Sequence, residues 1–333
     1  MEFGQKLPTD LVCAVVGSSG YIGSKLVEKL TDSGCVVIRA SRRDTFSDGV
    51  SEFIMAELGS LNFWLNIVEK SDVIIHLAGN TSINTANESP ALDLDSSVIP
   101  IYRLIEACKI LMKRPKIIFA STVTAYGFTD DLPVSENTVE NPYSFYDLHK
   151  LFVERQLFLA TQLGVCDAVS LRLANVYGPS VAASSASDRG ILNKITGLAL
   201  AGGTVSLYGG GNYIRDYIYI DDVIDAFVAT SCSSNSSGEV FNIGSGVGTT
   251  VRDAFFAVTQ EVYRQTNQVI EMKDIPWPEN SPKIDMRNFI ASIDKARSSL
   301  DWSPKVSLQT GIATTVKSMM LQSSETKSFE PKI

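Results

Sequence analysis

LVCAVVGSSGYIGSKLVEKLTDSG, residues 11–34, decides the reading of the whole chain. Its first six residues form a continuous apolar run, β-branched at its core, which suits a strand buried on both faces of a parallel sheet. SKLVEKLTDSG (24–34) then places Leu26, Val27 and Leu30 on one helical stripe. Between strand and helix stand Gly17, Gly20 and Gly23, spaced GxxGxxG. The first glycine permits a tight turn, the second lets the backbone approach a pyrophosphate, and the third lets helix and sheet close up. The orphan N–H groups and positive dipole end of the helix would face the phosphates. Gly17, Gly20, Tyr21, Ile22 and Gly23 are therefore candidate contacts to a dinucleotide.

Further strands follow at CVVIRA (35–40), EFIMAE (52–57), VIIHLA (73–78), IIFAST (117–122) and AVSLRLA (168–174). Helical stretches lie between them at 62–70, 98–113 and 145–163. Parallel strands need crossover helices, so this alternation predicts an α/β fold, a Rossmann-type doubly wound parallel sheet. The pattern changes after residue 177. A small polar stretch at 180–190 reads as a loop, 192–203 as a helix with a glycine stop, and IRDYIYIDDV (214–223) as a strand turning into a helix. Beyond 250 come two helical stretches and a proline-rich link, PWPENSP (276–282). The expected division is a dinucleotide-binding domain over 10–176 plus about 217–246, and a smaller α/β substrate lobe over 177–216 and 247–320. Residues 321–333, poor in apolar side chains, are expected to be a flexible tail.

With 333 residues the chain has room for about two domains, and 44% apolar residues exclude a mostly disordered chain. A net charge of −8 argues against a broad nucleic-acid surface. No run approaches the roughly 18 apolar residues of a membrane span, and MEFGQKLPTD at the amino terminus lacks a signal-peptide core. The five cysteines never form CxxC and there are two histidines, so no metal is expected. These features point to a soluble, reduced, cytoplasmic protein.

The choice between NAD and NADP depends on the end of the second strand, where NAD enzymes place an acid and NADP enzymes an arginine. Here the stretch is Arg39-Ala40-Ser41-Arg42-Arg43-Asp44, with no acid at the strand end. Ser41, Arg42 and Arg43 would meet a 2′-phosphate with charge-assisted hydrogen bonds. NADP(H) is therefore favoured, with NAD as the alternative; an exposed basic turn, with Asp44 pairing an arginine, is the bland reading. Further along, Tyr146 and Lys150 stand at i and i+4 on one helical face. A phenol is a poor acid–base at neutral pH, and a neighbouring ammonium brings its pKa down. IIFASTVTAYG delivers Ser121 and Thr122 at the carboxyl end of a central strand, where α/β sites are built.

Together, GxxGxxG (17–23), VIIHLAG (73–79), ASTVTAYG (120–127), PYSFYDLHK (142–150), RLANVYGP (172–179), IRDYIYIDD (214–222) and LDWSP (300–304) resemble the motif succession of the extended short-chain dehydrogenase/reductases of the nucleotide-sugar epimerase, dehydratase and reductase type. The resemblance covers roughly residues 11–315. It implies Tyr146 as acid–base, Lys150 as its tuner and Thr122 as the hydroxyl on the reacting sugar oxygen, with Ser121 adjacent. It also implies that Leu77, Ala78 and Gly79 border the cofactor and that Glu57 and Leu58 lie at the adenine. Asn175, Arg215 and Arg287 would hold the nucleotide diphosphate, Arg215 as its clamp unless it pairs with Asp216 or Asp221. Relatives form a homodimer through helices equivalent to 98–113 and 145–163, where Ile101, Leu104, Ile105, Phe152 and Phe158 would serve either as dimer surface or as core.

The departures also carry information. Val123 and Thr124 replace the Asp-Glu pair of the sugar 4,6-dehydratases, so that elimination is excluded. Ser97 and Pro100 replace a usual asparagine and glycine. His76, on a buried strand, reads as a core residue. The leading expectation is an NADP(H)-dependent reductase of the C4 keto group of a nucleotide-linked hexose. The alternative is an NAD-dependent nucleotide-sugar 4-epimerase of UDP-hexose type, and a non-catalytic dinucleotide-binding regulator is the reading of another class.

Overall fold

The computed structural model describes residues 10–44, 51–179, 190–279, 281 and 283–328. The loop expected over 180–190 lies almost wholly outside them. Strand β1 (Val12–Val16) feeds helix α1 (Tyr21–Asp32), as the opening stretch predicts. There follow β2 (Val36–Ser41), β3 (Glu52–Met55), α2 (Leu61–Lys70), β4 (Val73–His76), α3 (Ile83–Glu88), α4 (Pro90–Ser97), α5 (Ile99–Leu111), β5 (Lys116–Thr122), α6 (Phe145–Gln162) and β6 (Asp167–Leu173). Next come β7 (Asn175–Tyr177), α7 (Ile191–Leu200), β8 (Val205–Tyr208), β9 (Ile214–Tyr219), α8 (Ile220–Cys232), β10 (Val240–Ile243), β11 (Gly248–Thr250), α9 (Val251–Thr266), β12 (Met272–Ile275), α10 (Asp294–Leu300) and α11 (Leu308–Ser328).

Seven strands form one parallel sheet in the order β10-β6-β5-β4-β1-β2-β3. The order reverses between β1 and β4, and a crevice opens there beyond the carboxyl ends of the strands. Both faces of the sheet are covered. One apolar core contains Leu26 and Leu30 of α1, Ile75, Ile118 and Phe227 of α8. The other contains Trp64 of α2, Ile74, Ile101 and Leu104 of α5, and Phe119. Burying one such side chain contributes on the order of 1.5–3 kcal/mol. Burial on two faces explains why these strands read as unbroken apolar runs.

Outside this sheet, β11, β9 and β7 form a three-stranded sheet and β8 pairs with β12 in parallel. Three departures from the sequence reading stand out. The stretch 98–113 begins one residue later, because Val98 caps a fresh helix whose Pro100 falls in the first turn, where no amide is required. Among the described residues three helices, not two, follow residue 250. The expected flexible tail is helical as far as Ser328; its serines, threonine and glutamine lack an apolar signal but do not stop a helix. Among the described residues no helix is long and apolar enough to cross a membrane.

Candidate active site

The glycine turn is built as its spacing requires. Gly17 has φ +98°, and a Cβ there would stand 2.9 Å from the Ala78 amide nitrogen. A Cβ on Gly23 would lie 2.1 Å from the Gly17 carbonyl oxygen, so helix and loop are in direct backbone contact. Gly20 caps α1 with no side-chain hydrogen bond, leaving the first amides of the helix uncapped by any side chain. A cleft of about 750 Å³ opens over this turn. Gly17, Gly20, Ser41, Arg42, Leu58, Leu77, Ala78 and Gly79 line it, all expected from the sequence. Ser19, Ala56, Asn80, Thr81, Thr85, Ser89, Leu92, Asp93 and Ser96 line it as well and were not expected.

Some of the expected contact residues turn their side chains away from the cleft, although the amides of Tyr21, Ile22 and Gly23 open α1. The Tyr21 hydroxyl donates to the Gly178 carbonyl (2.8 Å) and accepts from Asn193 (3.2 Å), inside the protein. Ile22 packs against the core, and Gly23 serves the helix–loop contact. Glu57 is exposed and absent from the cleft, which its neighbours Ala56 and Leu58 line instead. The strand end was expected to supply three donors to a 2′-phosphate. Ser41 Oγ instead donates to the Arg43 carbonyl at 2.5 Å, so its hydrogen is committed, and Arg43 lies outside the cleft. Arg39 pairs with Asp44 at 2.5 Å. The residues fit a dinucleotide on independent grounds. Besides the glycine cradle, the buried Ser97 hydroxyl has no hydrogen-bond partner among the described residues, and it lies beside Gly79 of the cleft.

Helix α6 presents Asp147, Lys150 and Glu154 on one buried stripe toward the end of β5. Lys150 Nζ donates to the Ala120 carbonyl (2.9 Å) and stands 5.9 Å from the Tyr146 ring centroid, so phenol and ammonium share a face as predicted. Burial pushes the Lys150 pKa down to about 8, against the opposing pull of Asp93 and Glu154. Asp93, buried, accepts from Asn80 (2.8 Å) and contacts His149 Nδ1 at 2.6 Å. No sequence signal joins residues 56 positions apart, so this pair was missed. Thr122 Oγ1 lies 2.8 Å from Thr124 Oγ1, which hydrogen-bonds Asp147. Ser121, expected at the substrate, instead donates to Glu154, whose carboxylate also takes Arg172 at 2.6 and 3.0 Å. His76 is buried between Trp64 and Phe119, and burial pushes its pKa down to about 3.

Arg215 and Arg287 come together at the small lobe. Arg215 donates to the carbonyls of Ile214 (3.0 Å), Asp285 (2.5 Å) and Arg287, and Arg287 to that of Ile284 (3.1 Å). Neither makes the salt bridge that would have explained Arg215 away. Asp216 accepts instead from Ser245, Gly246 and Ala291, and Asp221 pairs with Lys25. Arg287 Nε has no partner among the described residues, although the residue is 5% exposed. Two buried cations facing each other over carbonyls form a site for an anion. Asn175, half-buried, donates to the Asp216 carbonyl (3.0 Å), so its amide hydrogen serves the β7–β9 junction.

A profile of the NAD dependent epimerase/dehydratase family matches residues 13–244. The chain belongs to that family. Among its relatives is a UDP-glucose 4-epimerase of Mycolicibacterium smegmatis, 31% identical over 318 residues that cover 91% of this chain and 96% of the relative. The UDP-glucose 4-epimerase of Thermotoga maritima, solved with UDP-glucose, superposes with a TM-score of 0.83 at 29% identity, covering 94% and 99% of the two chains. The Thermus thermophilus enzyme of the same name, solved with NAD, gives 0.81 at 27% identity over 93% and 99%. This family membership accounts for the glycine turn and the seven-stranded sheet. The named relatives are epimerases and one of them carries NAD, whereas the leading sequence expectation was an NADP(H)-dependent reductase.

Proposed function

We propose that this protein is an NAD-dependent 4-epimerase of a UDP-hexose. The observation that carries the reading is the commitment of Ser41 to the Arg43 carbonyl, with Arg43 outside the cleft. Of the three donors expected at a 2′-phosphate, Arg42 alone lines the cleft with a donor that is uncommitted among the described residues, and a single exposed guanidinium contributes little in water. Full-length likeness to UDP-glucose 4-epimerases supports the same conclusion.

The glycine turn and the uncapped start of α1 would hold the pyrophosphate, with Leu58, Ala78 and Gly79 along the rest of the cofactor. Bound NAD would accept the C4 hydride and return it to the other face of the sugar. Tyr146 takes the proton from the C4 hydroxyl and gives it back, helped by the buried ammonium of Lys150, which favours the phenolate. Thr122 holds the C4 oxygen. Arg215 and Arg287 bind the diphosphate and anchor the nucleotide while the sugar turns. The exposed Tyr102 and Ile110 of α5, with Phe152, Phe158 and Leu159 of α6, form the apolar face of a homodimer; Ile101 and Leu104 belong to the core.

The test is turnover without added cofactor. Purified protein should convert UDP-galactose to UDP-glucose and release stoichiometric NAD on denaturation, and Tyr146→Phe should lose at least about a hundredfold in rate while still holding NAD. An exchangeable site that prefers NADPH, with activity on 4-keto sugars alone, would overturn the proposal.

A further inference from the structure

One wall of the cofactor cleft is made by α3, α4 and the turn before them, where Asn80, Thr85, Asp93 and Ser96 line it. The side chains that these two helices bury are Ala86, Asp93 and Ser97, of which one is apolar. A segment with so little buried apolar area opens readily unless polar contacts hold it. Those contacts converge on Asp93. Asn80 Nδ2 donates to one of its carboxylate oxygens at 2.8 Å. The Ser82 amide, which can only donate, meets Asn80 Oδ1 at 2.9 Å and so fixes which way the carboxamide points. The other carboxylate oxygen lies 2.6 Å from His149 Nδ1, and both residues are buried. Away from water such a contact is stronger than the same pair on the surface. A second tie runs from the Phe145 amide to Asn87 Oδ1 at 3.1 Å. Phe145 and His149 both belong to α6, and Lys150 follows His149 directly.

We infer that Asp93, held between Asn80 and His149, latches the α3–α4 wall onto the catalytic helix and retains the dinucleotide from one catalytic cycle to the next. Asn80, Asp93 and His149 are positioning residues here, because they act by keeping the wall closed. The inference rests on the 4-epimerase reading and deepens it. An epimerase returns to the sugar the hydride it removed, so its cofactor ends each cycle as it began and need not leave. A reductase that exchanged its cofactor at every cycle would have to break this buried contact each time.

The test is the rate at which bound NAD leaves. Purified holoprotein is diluted into excess isotope-labelled NAD, and the unlabelled NAD still bound is measured by mass spectrometry after denaturation. His149→Phe keeps a planar ring without a nitrogen and should release NAD at least about tenfold faster than the wild type. His149→Asn, whose amide reaches about as far as Nδ1 and can donate or accept, should bring release back to within about threefold of the wild type. Asn80→Ala should also speed release. Combining it with His149→Phe should give less than the product of the two single effects, because both act through Asp93. UDP affinity, read by calorimetry, should stay unchanged as the check on folding; if His149→Phe loses it, Asn80→Ala decides. Release at the wild-type rate from the folded variants, or a His149→Asn protein as leaky as His149→Phe, would overturn the inference and leave the functional reading standing. A wild type that emerges free of NAD and exchanges NADPH freely would overturn that reading and this inference with it.

Discussion

Replacing Arg287 by methionine should stabilise the ligand-free protein and weaken nucleotide binding at once. The Arg287 pKa is pushed from the ordinary guanidinium value down to about 10, by burial first and by the neighbouring Arg215 second. At about 1.4 kcal/mol per pH unit this is roughly 3 kcal/mol of penalty on the charged form. The sign follows from the direction of the shift. The folded value lies below the unfolded one, so the penalty is fully present below about pH 10 and fades as pH rises toward the ordinary guanidinium value. A neutral side chain of similar length escapes it. The variant loses the hydrogen bond to the Ile284 carbonyl, worth about 1 kcal/mol, whereas the opposing pull of Asp147 and Asp285 is already contained in the net shift. The net expectation is a gain of about 1–2 kcal/mol in urea unfolding of nucleotide-free protein, since replacing buried charge by apolar volume is often stabilising. UDP affinity, measured by calorimetry, should fall on the order of a hundredfold, because a buried charged partner is worth about 2–5 kcal/mol to its ligand. Saturating UDP should therefore reverse the stability order of the two proteins. Loss of stability together with unchanged UDP affinity would refute the anion-clamp argument.

Two further perturbations probe the cofactor side. Burial holds Lys150 near pKa 8 and Asp93 opposes that fall, so the rate should decline above about pH 8 as the ammonium is lost. Asp93→Asn should move this alkaline limb to lower pH in a kcat profile, and a limb that stays in place would remove Asp93 from the argument. Gly23→Ala puts a methyl group 2.1 Å from the Gly17 carbonyl oxygen, far inside ordinary contact, and both partners are backbone. Helix α1 must withdraw from the loop, at a cost of about 1–3 kcal/mol in stability. NAD affinity, followed by nicotinamide fluorescence, should fall at least tenfold; retention of wild-type affinity would show that the pyrophosphate is held elsewhere.

Local patterns were legible in the sequence, and long-range pairings were not. The strand–glycine–helix unit at 11–34 announces itself because burial on two faces and the needs of a turn act within a few residues. Tyr146 and Lys150 are readable for a similar reason, since one helical turn brings i and i+4 together. Adjacent hydroxyls at a strand end are harder. Ser121 and Thr122 look equivalent, yet one is claimed by Glu154 of α6 and the other joins Thr124. The motif reading put both at the substrate because the deciding partners lie 33 and 2 positions away. The His149–Asp93 contact joins two helices distant in sequence, and no periodicity marks it.

The NADP(H) expectation has the same origin. Ser41, Arg42 and Arg43 have the composition of a 2′-phosphate site, and composition is what a linear reading detects. Binding depends on which hydrogens remain uncommitted once the chain has folded. The turn after β2 folds the Arg43 carbonyl back onto Ser41 at 2.5 Å, and Asp44 onto Arg39 at the same distance. Satisfying backbone and buried charge locally thus uses up donors that the sequence offers to a ligand. The opposite holds at Arg287, whose Nε is left without a partner among the described residues in a buried setting, so a residue of imperfect motif spacing becomes a strong candidate for binding. In both places what predicts binding is the hydrogen-bonding capacity left unspent by the fold, more than the type of side chain present.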